Sequence, residues 1–247
     1  MTTTVEVTTP ATDSKWIGLY KLGGIAALIA GPLTLVDIMV YVFWPQPSTI
    51  EGWFALFQKN PIIGLLDYDL LGIIIYIIVI PSILTLYILL RRVSQSWSII
   101  AAALTLMGMA TYFGTNTAGS MYSLAIQYVT ATTDAQRAGL MAAGQAVLAI
   151  FLNSAFTTSF LIVSFSLLIT SALMLRSNYF SRRIAYVGII ANIAAMGEYI
   201  PLPFAVMMVF GVMNGVGLGI WFTLIGSALY RFWEASSKNP MKEQLPC

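Results

Sequence analysis

Residues 60–80 read Asn-Pro-Ile-Ile-Gly-Leu-Leu-Asp-Tyr-Asp-Leu-Leu-Gly-Ile-Ile-Ile-Tyr-Ile-Ile-Val-Ile. Asn60 followed by Pro61 is typical of a helix start, with the asparagine as N-cap and the proline as first helical residue. The run that follows is apolar enough to cross a membrane. It nevertheless begins with two carboxylates, Asp67 and Asp69. Because a carboxylate inside a membrane costs on the order of 3 kcal/mol, both are candidate functional residues.

The composition of the whole chain is that of a membrane protein. Of its 247 residues, 58% are hydrophobic and only 9% are charged, and the mean hydropathy is +0.83. Soluble domains carry roughly a quarter charged residues. Since a helix satisfies its own backbone hydrogen bonds in lipid, the sequence predicts an all-α integral membrane protein.

Several classes of function are disfavoured by the residues that the chain lacks. It has no histidine, which removes the usual general base and the commonest metal ligand. Cys247 is its only cysteine, so an internal disulfide and a zinc or redox pair of cysteines are excluded. The net charge is +2 and no basic stretch is interleaved with aromatic residues, so we expect no nucleic-acid partner. We therefore assign no catalytic residue, no metal ligand and no cofactor, and favour a protein that is not an enzyme.

The hydrophobic runs predict six transmembrane helices. They cover about residues 22–44, 60–90, 97–122, 149–175, 184–200 and 204–232. We expect residues 1–15 to form a disordered cytoplasmic tail, residues 16–232 the six-helix transmembrane domain, and residues 233–247 a second cytoplasmic tail.

Two further helical segments are predicted outside the spans. Ile50, Trp53, Phe54 and Phe57 recur at helical spacing, which indicates a short interfacial helix lying on the bilayer after the first span. The third and fourth spans extend towards Thr130, where their extensions are predicted to meet in an extended helical hairpin.

The basic residues predict the orientation of the chain. With six spans, both termini lie on one side, and ten of the twelve lysines and arginines fall on that side. Only Lys59 and Arg137 fall on the other side. By the positive-inside rule, the protein is a multi-pass protein of the cell membrane with both termini in the cytoplasm.

Four acids from three spans are predicted at a similar depth near the outer surface: Asp37, Asp67, Asp69 and Glu198. They form either a shared acidic cavity open to the outside or a set of interfacial acids hydrogen-bonded to tyrosines such as Tyr112 or to the backbone.

The middle of the membrane holds two polar residues, Asn192 on the fifth span and Asn214 on the sixth. Each is a candidate for an interhelical hydrogen bond or for contact with a ligand.

The chain resembles an uncharacterised family of prokaryotic six-helix membrane proteins that is classed only as a domain of unknown function. The likeness covers about residues 20–230. It is carried by the Gly-Pro and Asp37 pattern of the first span, the amphipathic segment 53–59, the acids at 67–69 and the alanine-rich run 138–149. The resemblance implies no activity and no functional residues.

Three functions remain open from the sequence. The first is an outward-facing acidic cavity that binds a small ligand, a cation or a lipid headgroup, as in a sensor or accessory subunit. The second is a small transporter or channel, which predicts a polar path past Asn192 and Asn214. The third is a membrane enzyme acting on lipids, which predicts two carboxylates within about 5 Å of each other. The expected partner is the lipid bilayer, and the oligomeric state stays undetermined.

Overall fold

The computed structural model describes residues 14–44, 46–152, 154–197, 199–200 and 202–238. Within these residues the regular structure is entirely helical, with a short 3-10 turn at Ser14–Trp16 before the first α-helix. The helices are α1 (Ile17–Phe43), α2 (Ile50–Lys59), α3 (Pro61–Asp67), α4 (Leu70–Leu90), α5 (Gln95–Thr115), α6 (Ala118–Thr130), α7 (Asp134–Leu152), α8 (Ser154–Leu175), α9 (Arg182–Gly197) and α10 (Phe204–Lys238).

Five helical segments of the described chain are long and apolar enough to cross a membrane. They are Ile17–Phe43, Leu70–Leu90, Gln95–Thr130, Asp134–Leu175 and Ala205–Ala235. The prediction of an all-helical chain with several membrane-spanning candidates is therefore confirmed. The remaining predicted span corresponds to α9, which has only 16 residues.

Six helices pack into a closed ring: α1, α4, α5, α8, α9 and α10. Each contacts its neighbour along the chain, and α10 closes the ring against α1. Buried side chains such as Val79, Leu167 and Trp221 fill the interior. Hydroxyl groups inside the ring are used to join helices, as where Ser82 Oγ donates to the Gly23 carbonyl at 2.7 Å.

The contact between α1 and α10 depends on small residues. A Cβ placed on Gly219 would lie 3.0 Å from the Gly31 carbonyl oxygen and closer still to the Leu35 side chain. The two backbones therefore approach closely only because both positions are glycine.

Cation–π contacts gather the basic helix ends at one end of the ring. Lys21 Nζ, near the start of α1, lies 4.6 Å from the centre of the Trp233 ring near the end of α10. Arg91, directly after α4, lies 5.9 Å from the ring of Trp16. The start of α1 and the ends of α4 and α10 therefore share one end of the molecule.

At the opposite end, α2, α3, α6 and α7 form a second layer, which we call the cap. Trp53, Phe54 and Phe57 of α2 are each only 1% exposed, because they pack on α6 and α7 around Met121 and Phe151. The amphipathic helix predicted after the first span exists. Its apolar face, however, is covered by protein, so the expectation that it lies with that face on the bilayer is wrong.

The predicted second and third spans are each interrupted. The second divides at Tyr68 and Asp69 into α3 and α4, and the third divides at Asn116 and Thr117 into α5 and α6. Asp67 and Asp69 therefore do not share one continuous helix.

The predicted tails are only partly covered by the structure. Residues 1–13 and 239–247 lie outside the described residues, whereas α10 continues past residue 232 to Lys238.

Candidate functional site

Asp69 occupies an unusual backbone position between the cap and the ring. Its φ of 69° and ψ of 37° place it in the left-handed region, and it is the only non-glycine residue with positive φ in the described chain. Aspartate tolerates this conformation better than most residues. The turn ends α3 and starts α4 in a new direction, and it fixes the position of the Asp69 carboxylate.

Groups from α5 hold Asp69 in place. The Tyr112 hydroxyl donates to Asp69 Oδ2 at 2.6 Å and lies 3.1 Å from the Asp69 carbonyl oxygen. Asn116 Nδ2 approaches the same carbonyl at 3.5 Å. A Cβ on Gly72 would overlap both the Tyr112 hydroxyl and the Asp69 carboxylate, so glycine there is a requirement of this contact. The hydrogen bond between an acid and Tyr112 is thus confirmed for Asp69.

Asp37 lies on α1, which packs against α4, within electrostatic range of Asp69. The two carboxyl groups interact electrostatically, and both also act on Tyr76 of α4. Both acids are half-buried, and no lysine or arginine of the described chain forms an ion pair with either. Two like charges without a basic partner repel each other, and a bound cation relieves that repulsion. We call Asp37 and Asp69 the acid pair. Tyr112 is the tyrosine that donates a hydrogen bond to it.

Asp67 lies in different surroundings. Its side chain is 4% exposed, and neither carboxyl oxygen has a hydrogen-bond partner among the described residues. Burial alone raises the pKa of this carboxyl from 3.8 to about 6. Because no charge contributes to that shift, Asp67 is an isolated buried acid within the cap.

The neighbouring Tyr68 fixes the chain between the two acids. Its hydroxyl pairs with Thr117 Oγ1 at 3.1 Å, and its ring stacks on Phe151 at 4.2 Å between centroids. The edge of the Trp53 ring meets it at 4.9 Å. Tyr68 thus ties the break between α3 and α4 to the break between α5 and α6.

The other predicted site residues lie elsewhere. Glu198 lies outside the described residues. Asn214 Nδ2 donates to the Ala191 carbonyl at 3.0 Å and so joins α10 to α9. Asn192 is fully buried, and its Nδ2 donates to the Gly188 carbonyl one turn earlier at 2.7 Å, while Oδ1 has no partner in the described chain.

Two residues of the arrangement were missed by sequence reasoning, Gly72 and Asn116. Gly72 resembles any other small residue in an apolar run, and Asn116 could have been noticed as a helix breaker near a tyrosine. Neither signal reveals the site, because Gly72 leaves room for Tyr112, 40 positions later, and Asn116 lies 47 positions from Asp69. No group of three or more acidic, cysteine or histidine residues suited to a metal occurs among the described residues.

The comparison with protein families agrees with the expected resemblance. The model of a domain of unknown function, DUF4386, matches residues 69–226. The chain belongs to the DUF4386 family. The match contains Asp69, Tyr112, Asn192 and Asn214, whereas Asp37 and Asp67 precede it. It is narrower than the expected residues 20–230, and the family carries no activity to transfer. No curated protein and no solved structure matches the chain.

Proposed function

We propose that this DUF4386 protein is a six-span membrane protein that binds a small hard cation at Asp37 and Asp69. The observation that carries the proposal is that two half-buried carboxyls on helices that pack together, α1 and α4, interact electrostatically and have no basic partner in the described chain. The available donors are carboxylate, carbonyl and phenol oxygens, which suit cations such as Ca²⁺ or Na⁺. Such a protein would act as a sensor or as an accessory subunit.

The six-span arrangement is supported by the closed ring. Although α9 is short, it packs against α8 on one side and α10 on the other, as a full member of the ring. A helix of 16 residues is about 24 Å long, somewhat less than the hydrocarbon core of about 30 Å. Local thinning of the bilayer accommodates the difference.

The orientation follows from the positive-inside rule and from the shared end of the basic residues. We propose that this end, with both termini, faces the cytoplasm and that the cap faces outward. The unique cysteine allows a direct test. After Cys247→Ser, single cysteines at Ser94 and at Gln136 should react with a membrane-impermeant maleimide from the inside and the outside respectively. The same sidedness at both positions contradicts the proposed topology.

Thermal unfolding of the purified protein tests the cation site. A cation that binds the folded state at 100 times its Kd adds about 2.7 kcal/mol to the free energy of unfolding. We expect Ca²⁺ or Na⁺ to raise Tm of the wild type, with no rise for Asp37→Asn or Asp69→Asn. Asp134→Asn changes an exposed acid on α7 and serves as the control. Its Tm should rise as much as that of the wild type. If Tm rises equally in the wild type and in all three variants, the cation binds elsewhere on the protein, and the proposal is contradicted.

The structure favours this function over a transporter. Side chains such as Val79, Leu167 and Trp221 fill the ring interior. The amide donors of Asn192 and Asn214 are used on helix carbonyls. The half-buried acid pair lies at the junction of ring and cap rather than along the ring interior.

A further inference from the structure

We propose that a groove between α2 and α7 binds the zwitterionic headgroup of a phospholipid. The cavity has a volume of about 400 Å³, within the range of small-molecule sites. No residue of the acid pair contributes to it. Its principal lining residues are Ser48, Thr49, Glu51, Gln145, Leu148 and Ala149.

The groove lies beside a close approach of α7 to α2. A Cβ on Gly144 would lie 2.8 Å from Ile50 Cγ2 and 3.0 Å from Phe54 Cζ, so only glycine allows this approach. Directly after it, Gln145, Leu148 and Ala149 follow at helical spacing and share one face of α7. That face forms the wall opposite the first turn of α2.

The charges of the groove suit a zwitterion. Glu51 is exposed, is the only charged residue of the lining and forms no ion pair within the described chain. Its carboxylate therefore suits the ammonium group of ethanolamine or choline. Ser48, the Thr49 N-cap and the N–H groups of Ile50 and Glu51 supply donors for the phosphate at the same end of the groove, whereas the Gly52 N–H already donates to Thr49 Oγ1.

The surroundings indicate that the ligand comes from the membrane. At the end of α1, six positions before α2 begins, Phe43 is 75% exposed and Trp44 is 47% exposed. Ile150, next to Ala149, is 49% exposed. Exposed aromatic residues of this kind mark the interface between lipid and water. The apolar surfaces beside the groove thus suit acyl chains. This inference depends on the proposed membrane placement and not on the cation site.

Native mass spectrometry of the full chain in detergent, with dioleoyl phosphatidylethanolamine, phosphatidylcholine or phosphatidylglycerol added, tests the assignment. We expect the two zwitterionic lipids to be retained more strongly than the anionic phosphatidylglycerol. Glu51→Gln should weaken retention of the zwitterionic lipids about fivefold, the size of one partly exposed charge pair. It should leave phosphatidylglycerol retention unchanged or stronger. Asp134→Asn, which removes an acid elsewhere on the same side, should retain all three lipids like the wild type.

A second variant tests the cavity itself. Ala149→Phe fills the groove from α7, so it should abolish the preference for zwitterionic lipids while Tm stays close to that of the wild type. Equal retention of the three lipids by the wild type, or identical retention by wild type and Glu51→Gln, overturns the proposal. Either result means that the lipids merely surround the protein. Failure of the cation test at Asp37 and Asp69 leaves the expected lipid result unchanged, so the two proposals are separable.

Discussion

Replacing Asp67 by asparagine should stabilise the protein at neutral and alkaline pH. The carboxyl is 4% exposed, lacks a hydrogen-bond partner in the described chain, and has a pKa raised by burial from 3.8 to about 6. The folded state therefore binds the proton more tightly than the unfolded state. The contribution of Asp67 to the free energy of unfolding is therefore greatest below about pH 4, and it is lost as the pH rises through about 6. Above pH 6, the difference between the folded and unfolded pKa values corresponds to a loss of about 3 kcal/mol in the free energy of unfolding.

Asparagine has nearly the same shape as aspartate, and it carries no charge whose burial would destabilise the folded state. The main chain should also stay in place, since Gln46 Nε2 donates to the Asp67 carbonyl at 2.9 Å. We expect Asp67→Asn to equal the wild type at about pH 3 and to exceed it by about 2–3 kcal/mol at about pH 8. The assay is thermal unfolding in detergent, scanned across this pH range. Asp134→Asn, at an exposed acid, should follow the wild type. If Asp67→Asn keeps the wild-type pH dependence, or is less stable at pH 8, the burial argument is refuted.

Three further substitutions test the packing around the site by thermal unfolding and proteolysis. Gly72→Ala should destabilise the protein by about 2 kcal/mol, because its Cβ displaces the Tyr112 hydroxyl from Asp69; an unchanged Tm contradicts the contact. Tyr112→Phe should cost about 1–2 kcal/mol and weaken cation binding, whereas the cap variant Tyr122→Phe should not weaken binding. Trp53→Ala should cost about 3–5 kcal/mol, with the loss confined to the cap. Limited proteolysis should then cut at residues 131–133 while the ring stays intact, and cleavage within the ring instead argues against a separate cap core.

Local sequence signals predicted the features that depend on neighbouring residues. Asn60 caps α3 as expected, since its Oδ1 accepts the Ile63 N–H at 3.2 Å. The helical spacing of Trp53 and Phe57 correctly indicated one apolar face. Apart from Tyr68, the buried residues that cover this face come from α6 and α7, more than 60 positions later, so the pattern could not distinguish a lipid contact from a protein contact.

The break at Asp69 could not be read from the sequence for the same reason. Residues 60–80 have the apolar character of one continuous helix, and aspartate is only mildly favoured in the left-handed region. The turn is secured by Tyr112, 43 positions away, and by the space that Gly72 leaves. The depth of Asp37 was predicted from its distance to the end of the first span. Its electrostatic contact with Asp69 needed the packing of the ring.

Equilibrium dialysis of the purified protein against radioactive Ca²⁺, and separately against radioactive Na⁺, measures cation binding at the acid pair without relying on stability. We expect one of these cations to bind at about one ion per chain. Binding should be lost in both Asp37→Asn and Asp69→Asn and kept in Asp134→Asn, because the two acids act together across α1 and the start of α4. Absence of binding by the wild type, or equal binding by all the variants, contradicts the claim that this acid pair is a cation site.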